Sequence, residues 1–477
     1  MSGLNELSRD ELVAIILAQQ EQIATLTDQV TRLTARVKEL EDRLGKDSHN
    51  SSKPPSSDGL RKKPRSQRGK SGRPSGGQQG HPGRTLEFAE EPDEVVVHAP
   101  ELCQSCGATL QDAPVVDCER RQVFDLPPLS LVVTEHQVQT RCCSACGCSN
   151  RASFPEMVEQ PAQYGPRIAA LATYLSSYQM LPFEREAQLF ADVFDVHLSE
   201  GTLANFTRRA YGALDGVEKG IKNALCAADV LHVDETGLRI GAKLNWLHVT
   251  GNASLTFYAC HKNRGRAALD EIGILSASSG RAVHDGWTAY ESYSGPHALC
   301  NAHHLRELTA IDEQLQQAWA AQMKDLLLDI KRTVDQSKDR GRSRLHPLQV
   351  CKFEARYRAV LKSGHAANPP PAPTGNRGRP KLGPAGSLLK RLDEGQAAVL
   401  AFMYDFAAPF DNNLAERDLR MMKVKQKVSG CFRSDEGARA FCRIRGYIST
   451  MRKQGHNVLA VLQSVFQRRP VVPSAAA

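Results

Sequence analysis

Apolar residues recur at heptad spacing near the start of the chain, at Leu12, Ile16, Ile23, Leu26, Val30, Leu33, Val37, Leu40 and Leu44, with Gln19 the one polar member. A stripe this narrow, flanked by Glu, Gln, Thr and Arg, predicts a coiled coil over residues 1–46. Ile16, Ile23, Val30 and Val37 fall at position a, with Leu12, Leu26, Leu33 and Leu40 at d. β-Branched a with Leu at d favours two parallel strands, so a homodimer or higher oligomer built on this helix is expected. After Gly45 the pattern stops, and residues 47–100 are rich in Ser, Pro, Gly, Lys and Arg. Such a segment cannot bury a core and predicts a disordered basic linker.

Helical patterning returns at residues 156–225. PRIAALATYLSSYQ carries one apolar face, and EREAQLFADVF, the turn DVHLS and EGTLANFTRRAYGAL follow as helix, turn, helix. Ser199 is a good N-cap for the last of these, and Thr202, Asn205, Arg208 and Arg209 point outward from it, as on a recognition helix in a major groove. Pairs of this kind also occur as plain packing units. ADVLHVDETGLRI, KLNWLHVTG and SLTFYACHK then read as three short strands separated by Gly241, Gly251 and Asn252. A helical run and a fourth strand, GRAVHDGW, complete a strand, strand, strand, helix, strand order.

Charge changes this picture locally. Between residues 61 and 84 there are eight Lys or Arg and no acid, which accounts for the whole net charge of +8. Cations on a flexible strand suit phosphate backbones. No apolar run is long enough for a membrane helix, and the polar, partly acidic start is unlike an export signal, so a cytoplasmic protein is expected, at the nucleoid when bound to DNA. Of 13 cysteines, seven fall between Cys103 and Cys148. Cys103-Gln-Ser-Cys106 and Cys143-Ser-Ala-Cys146 are two C-x-x-C knuckles, and four thiolates from Cys103, Cys106, Cys143 and Cys146 would close one tetrahedral structural zinc site. Cys142 and Cys148 compete as ligands, and the segment between the knuckles, RRQVFDLPPLSLVVTEHQVQT, predicts extended strands.

Candidate carboxylates lie on the strands. Strand alternation puts Asp234 on one face with His232, and Val233 and Glu235 on the other, so Asp234 and Glu235 cannot serve one site, and Glu235→Gln is expected to keep most activity. Asp285 ends the fourth strand. A helix packed on the sheet, DNNLAERDLRMMKVKQK, offers Glu416, and Asn413, Glu416, Arg420, Lys423 and Lys427 share one of its faces. An acid that holds metal therefore lines up with cations that hold phosphate.

Taken together, LGKDSHNSSKPPSSD after the zipper, the knuckles around VFDLP, HVDETG, HDGW, CNAHHLREL and PFDNNLAERDLRMMKVKQKVSGCFRS make nearly the whole chain resemble the DDE transposases of bacterial insertion sequences, specifically the insertion sequence sixty-six family. The resemblance implies an α/β ribonuclease H-like catalytic core, a mixed sheet with helices, in which Asp234, Asp285 and Glu416 form the catalytic triad. It implies two magnesium ions on these acids, with manganese possible, and metal-dependent cleavage at element ends followed by strand transfer into target DNA. It places Cys300 and His303 or His304 in a C-x-x-H stretch of structural or accessory role, and suggests accessory proteins encoded by the same element. Adjacent Cys142 and Cys143 depart from the family's more usual spacing by one residue.

The expected division is coiled coil 1–46, linker 47–100, zinc module 101–155, helix-turn-helix-like domain 156–225, catalytic core 226–311, helical insertion and loop 312–386, catalytic core 387–430 with the Glu416 helix, and a C-terminal helical region 431–477. In the insertion loop, Arg377-Gly378-Arg379-Pro380 looks like an AT-hook core, whose Arg side chains suit a narrow minor groove, although a flexible tether is the reading the composition favours. A non-catalytic DNA-binding regulator derived from such an enzyme is the alternative function.

Overall fold

The computed structural model describes residues 8–45, 50–51, 80, 86–127, 129–370 and 382–474. The chain begins with one long helix, α1 (Arg9–Leu44), whose heptad residues Ile16, Ile23, Val30 and Leu33 are all more than half exposed in the single chain. Most of the basic segment at 61–84 and both Arg377 and Arg379 lie outside the described residues.

Each C-x-x-C forms its own tight knuckle. The Cys103 N–H donates to the Ala108 carbonyl (2.8 Å) and the Gly107 N–H to the Cys103 carbonyl (2.9 Å). The same pattern repeats at Cys143, which donates to Cys148 (2.8 Å) and accepts from Gly147 (2.8 Å). Gly107 and Gly147 both take positive φ, 73° and 74°, a conformation open to glycine at no steric cost. The second knuckle is framed by the antiparallel pair β1 (Thr140–Cys142) and β2 (Ser149–Arg151). The described residues of 120–139 are mostly exposed and join no ladder, contrary to the strands the pattern predicts. An alternating run becomes a strand only where a neighbour supplies the other half of the ladder.

Four helices follow: α2 (Pro166–Ser177), α3 (Phe183–Phe194), α4 (Glu200–Ala213) and α5 (Asp215–Cys226). Asp195 takes a left-handed conformation (φ 53°) to end α3, and the Ser199 hydroxyl accepts the Thr202 N–H (3.1 Å) to start α4. A five-stranded mixed sheet comes next, formed by β3 (Val230–Ile240), β4 (Lys243–Gly251), β5 (Thr256–His261), then, after α6 (Arg266–Ile272), β6 (Arg281–His284) and, after α7 (Thr288–Glu291), β7 (His297–Leu299). The spatial order is β5-β4-β3-β6-β7, antiparallel among β3, β4 and β5 and parallel from β3 through β6 to β7. This mixed sheet flanked by helices is compatible with a ribonuclease H-like core.

Beyond β7 come α8 (Asn301–Leu315), α9 (Ala318–Asp339), α10 (Pro347–Ala367), α11 (Pro384–Glu394), α12 (Gln396–Val399) and α13 (Ala401–Tyr404). Leu308, Trp319, Met323, Leu327, Tyr357, Leu388 and Phe402 belong to one apolar core. The inserted helical body therefore extends past residue 386, the boundary expected from sequence, because α11 to α13 complete the core that α8 to α10 begin.

The chain ends with α14 (Asn413–Val428), α15 (Asp435–Lys453) and α16 (Val458–Phe466). α14 lays Ala415, Leu419 and Met422 against Leu238, Leu247 and Val249 on one sheet face. The opposite face, with Leu231, Val233 and Ala282, shares a core with Phe206, Leu214 and Ile221 of the early helices and Ile444, Tyr447 and Leu462 of the last two. The helix pair α3/α4 is thus part of a body that includes the sheet, and is not a free-standing domain.

Candidate active site

Register brings the first two acids together. β3 pairs with β6 so that Val230 faces Arg281 and His232 faces Val283, an offset of 51 residues. Asp234 and Asp285 differ by the same 51, so the register continued two steps beyond the ladder aims both at one face, and the Asp285 charge acts on Asp234. That face is the one α14 covers. The Asp285 carboxylate accepts the Trp287 N–H (3.0 Å), and Gly286, at φ 89°, makes the turn that permits it.

Glu416 lies in the first turn of α14, and its position is set by Asn412, a residue that sequence reading passed over. Asn412 is 1% exposed. Its side-chain amide donates to the Val233 carbonyl (2.8 Å), its Oδ1 takes a hydrogen bond from His232 Nδ1 (2.9 Å), and its backbone N–H donates to Cys300 Sγ (3.1 Å). Burial holds His232 below its ordinary pKa, hence neutral, which suits the pairing. One buried amide thus ties the start of α14 to β3 and to the end of β7. The Asn412-Asn413 doublet just ahead of an amphipathic run was the available sequence clue.

Burial, first, and then the negative charges of Glu235, Asp285 and Glu416 push the Asp234 carboxyl well above the usual carboxylate range, opposed by the Glu235 N–H at 2.8 Å. A desolvated Asp234 carboxyl beside the negative charges of Glu235, Asp285 and Glu416 matches the demand of a divalent metal ion, which favours its ionised form. The residues present fit such an ion. At ligand distance, however, the one group of three among the described residues is Cys300, His303 and Glu416. His303 Nδ1 lies 3.7 Å from Glu416 Oε1, and Arg306 lies 3.8 Å from Oε2. His304 points the other way, to Asn301 Oδ1 (3.0 Å), and burial lowers its pKa to about 3.

Glu235 occupies the opposite face from Asp234, as alternation requires, but it is not an idle residue. Its side chain is 2% exposed and accepts Arg264 Nε (2.8 Å) and Nη2 (2.6 Å) and the Tyr290 hydroxyl. The Arg264 guanidinium lies over the rings of Trp246 (4.9 Å) and Trp287 (4.4 Å), and Trp287 is the residue whose N–H holds Asp285. Glu235 therefore supports the Asp285 turn through Arg264, a partner 29 positions away that alternation alone does not reveal. Glu235→Leu should lower stability by about 2–3 kcal/mol, since it strips a buried charged hydrogen-bond acceptor from two donors. Glu235→Gln should lose about tenfold in activity, in place of the near-neutral result expected from sequence. Thermal denaturation together with a cleavage assay checks this, and wild-type values for both variants would remove Glu235 from the site's support.

The cationic residues proposed for DNA fall into two groups. Arg420, Lys423 and Lys427 are exposed and continue along α14 from Glu416. Arg208 and Arg209 are exposed on α4, where Arg208 sits 3.6 Å from Glu436 and hydrogen-bonds Asn205, and Arg209 lies over Phe466 (5.6 Å). The four knuckle sulfurs, Cys103, Cys106, Cys143 and Cys146, do not meet as one group at ligand distance. Backbone N–H groups, foremost that of Cys106 at Cys103 and that of Cys148 at Cys146, lower both thiols' pKa toward the thiolate a metal needs. Cys142 turns its thiol to the Gly147 carbonyl (3.2 Å), outside the knuckle.

No helix among the described residues is long and apolar enough to cross a membrane. A search of curated proteins finds no match to the chain. Residues 4–87 match the model of a family of unknown function, DUF6444. Residues 161–440, from just before α2 into α15 and including Asp234, Asp285 and Glu416, match the model of the IS66 transposase family. That match spans more than half of the 477 residues, and the chain belongs to the IS66 family of transposases.

Proposed function

We propose that this protein cuts DNA at the ends of its insertion element and joins the freed ends to target DNA, using Asp234, Asp285 and Glu416 to hold magnesium. The observation that supports this reading best is the shared offset of 51, which aims Asp234 and Asp285 at the face where Asn412 anchors the Glu416 helix. Bound magnesium, or manganese in its place, would supply Lewis acidity toward the scissile phosphate. The three carboxylates hold the negative charge that such ions require. Arg420, Lys423 and Lys427 lead away from Glu416 along α14 and would seat the phosphates on either side of the reacting one. In the first step water attacks phosphorus and the bond to the 3′-oxygen breaks, releasing a 3′-hydroxyl. In the second that hydroxyl attacks a target phosphodiester and displaces the target's own 3′-oxygen, so bonds are exchanged without an energy cofactor.

The remaining parts serve assembly and binding. α1, with its row of exposed apolar residues, would pair with a second copy as a parallel coiled coil, since burying that row relieves apolar surface that the single chain leaves in water. α4 would present Arg208 and Arg209 to DNA, with Arg377 and Arg379 a further contact. Accessory proteins from the same element remain part of this reading. The knuckles would close on one structural zinc, which requires the two to swing together. Metal analysis of the purified full chain should then find zinc in wild type and in Asp234→Ala, and one zinc fewer in Cys143→Ser. Zinc undiminished in Cys143→Ser would reassign the ligand to Cys142 or Cys148.

The test of function is cleavage of a labelled duplex carrying the inverted repeat that flanks the coding region. A magnesium-dependent nick followed by a joined product is expected. Tight binding without cleavage at any divalent metal concentration would instead establish a DNA-binding regulator.

A further inference from the structure

Cys300 closes β7, His303 lies in the first turn of α8, and Glu416 lies in the first turn of α14; their ligand atoms fall within 4.8 Å of one another. The thiol of Cys300 is fully buried. Glu416 Oε1 and His303 Nδ1 are both buried and lack a hydrogen-bond partner. A native structure seldom leaves two such atoms facing each other unless something else comes between them. Arg306 approaches the other oxygen, Oε2, at 3.8 Å, so Oε1 stays available.

The donor set is one sulfur, one nitrogen and one oxygen. Magnesium takes oxygen ligands and keeps its waters, so it has no use for Cys300. Zinc and cobalt(II) take thiolate, imidazole and carboxylate together, commonly with three protein ligands and a fourth position left open.

We propose that Cys300, His303 and Glu416 form a binding site for a thiophilic divalent cation, zinc in the first instance, separate from the cysteine knuckles. One consequence rests on the reading of Glu416 as the third magnesium ligand. A cation held by Cys300 and His303 takes the Glu416 oxygen for itself, so zinc inhibits a magnesium-supported reaction by removing a ligand and not by displacing DNA.

Cobalt(II) is the probe, because its visible absorption bands report thiolate ligation directly. Metal-stripped full-length protein is titrated, and ions bound per chain are counted. Wild type should hold one more thiolate-ligated cobalt ion, read from those bands, than Cys300→Ser and than His303→Gln, whereas Asp234→Asn should match wild type in that thiolate-ligated count. Cys143→Ser should lose a different ion, with Cys300→Ser and Cys143→Ser together losing both. Ser can still accept the Asn412 N–H, and circular dichroism verifies that the variant is folded; His303→Gln provides the same count without touching that hydrogen bond. Equal counts in wild type, Cys300→Ser and His303→Gln would overturn the proposal, as would a loss in Cys300→Ser that His303→Gln does not share. Zinc at stoichiometric excess should lower wild-type cleavage at least tenfold relative to the zinc-free reaction. Equal cobalt counts in wild type and in these variants defeat the site itself. A cobalt count that stands with no zinc inhibition defeats only the competition for Glu416, and with it that residue's catalytic assignment.

Discussion

Asp234→Asn, Asp285→Asn and Glu416→Gln should each lower magnesium-dependent cleavage and joining by about a thousandfold or more while gel-shift affinity for the element's end stays within a few-fold of wild type. Each substitution keeps the shape of the side chain and removes one charge. Asp234 is buried among Glu235, Asp285 and Glu416, so the neutral amide relieves repulsion in the metal-free protein, and the folded state is not weakened. What is lost is the negative charge that divalent ions need. Binding persists because Arg420, Lys423 and Lys427 lie further along α14 and Arg208 and Arg209 lie on α4, none of them dependent on the metal. A cleavage assay beside a gel shift at fixed salt separates the two effects. Full activity in Asp234→Asn would end the mechanism, and full activity in Glu416→Gln would move the third ligand to Asp411 or Asp418. The latter already pairs with Lys453 (2.8 Å).

The second large effect belongs to Asn412. Asn412→Leu removes the donor to Val233 and the acceptor from His232 in a place that water does not reach, leaving two buried polar groups without partners. The expected loss is about 2–4 kcal/mol in stability. Activity should fall by about 10- to 100-fold even at a temperature where the variant is folded, because the start of α14, and Glu416 with it, is no longer fixed against β3. Asn412→Asp tests the same contact more gently, since Oδ1 is retained but the donor is replaced by an acceptor facing the Val233 carbonyl. Chemical denaturation and single-turnover cleavage distinguish the outcomes. A destabilised Asn412→Leu with undiminished turnover at low temperature would make Asn412 a packing residue only.

Much of this arrangement was legible in the chain because the patterns that carry it are local. The heptad of α1, the alternation along each of the strands β3 to β6 and the charge of α14 are each local to one element, and the structure forms the helices and strands that these patterns predict. Even the pairing of Asp234 with Asp285 is present in the spacing, since their separation is the register offset itself. What escaped depends on partners far along the chain. Arg264 makes Glu235 a buried anchor, a fact that alternation cannot supply, because it says which face a side chain takes and not what waits there. Residue 386 was the expected end of the insertion because the Pro- and Gly-rich loop stops there; only packing shows that Leu388, Leu389 and Leu392 belong with Trp319 and Tyr357. The stretch 120–139 failed in the opposite direction, having a strand's alternation without a neighbour to pair with.

Arg443 of α15 hydrogen-bonds Glu218 (2.7 Å) and the Tyr211 carbonyl (2.8 Å), and lies over the Tyr211 ring at 3.9 Å, joining the last part of the chain to helices synthesised more than 200 residues earlier. During translation, α2, α4 and α5 must therefore wait with their apolar faces uncovered until α15 and α16 leave the ribosome. A chain stopped before residue 435 would lack the lid of the very core that carries Arg208 and Arg209. Premature termination therefore leaves α2, α4 and α5 without the helices that cover their apolar faces, and the fold around α4 is complete only when the chain is nearly so.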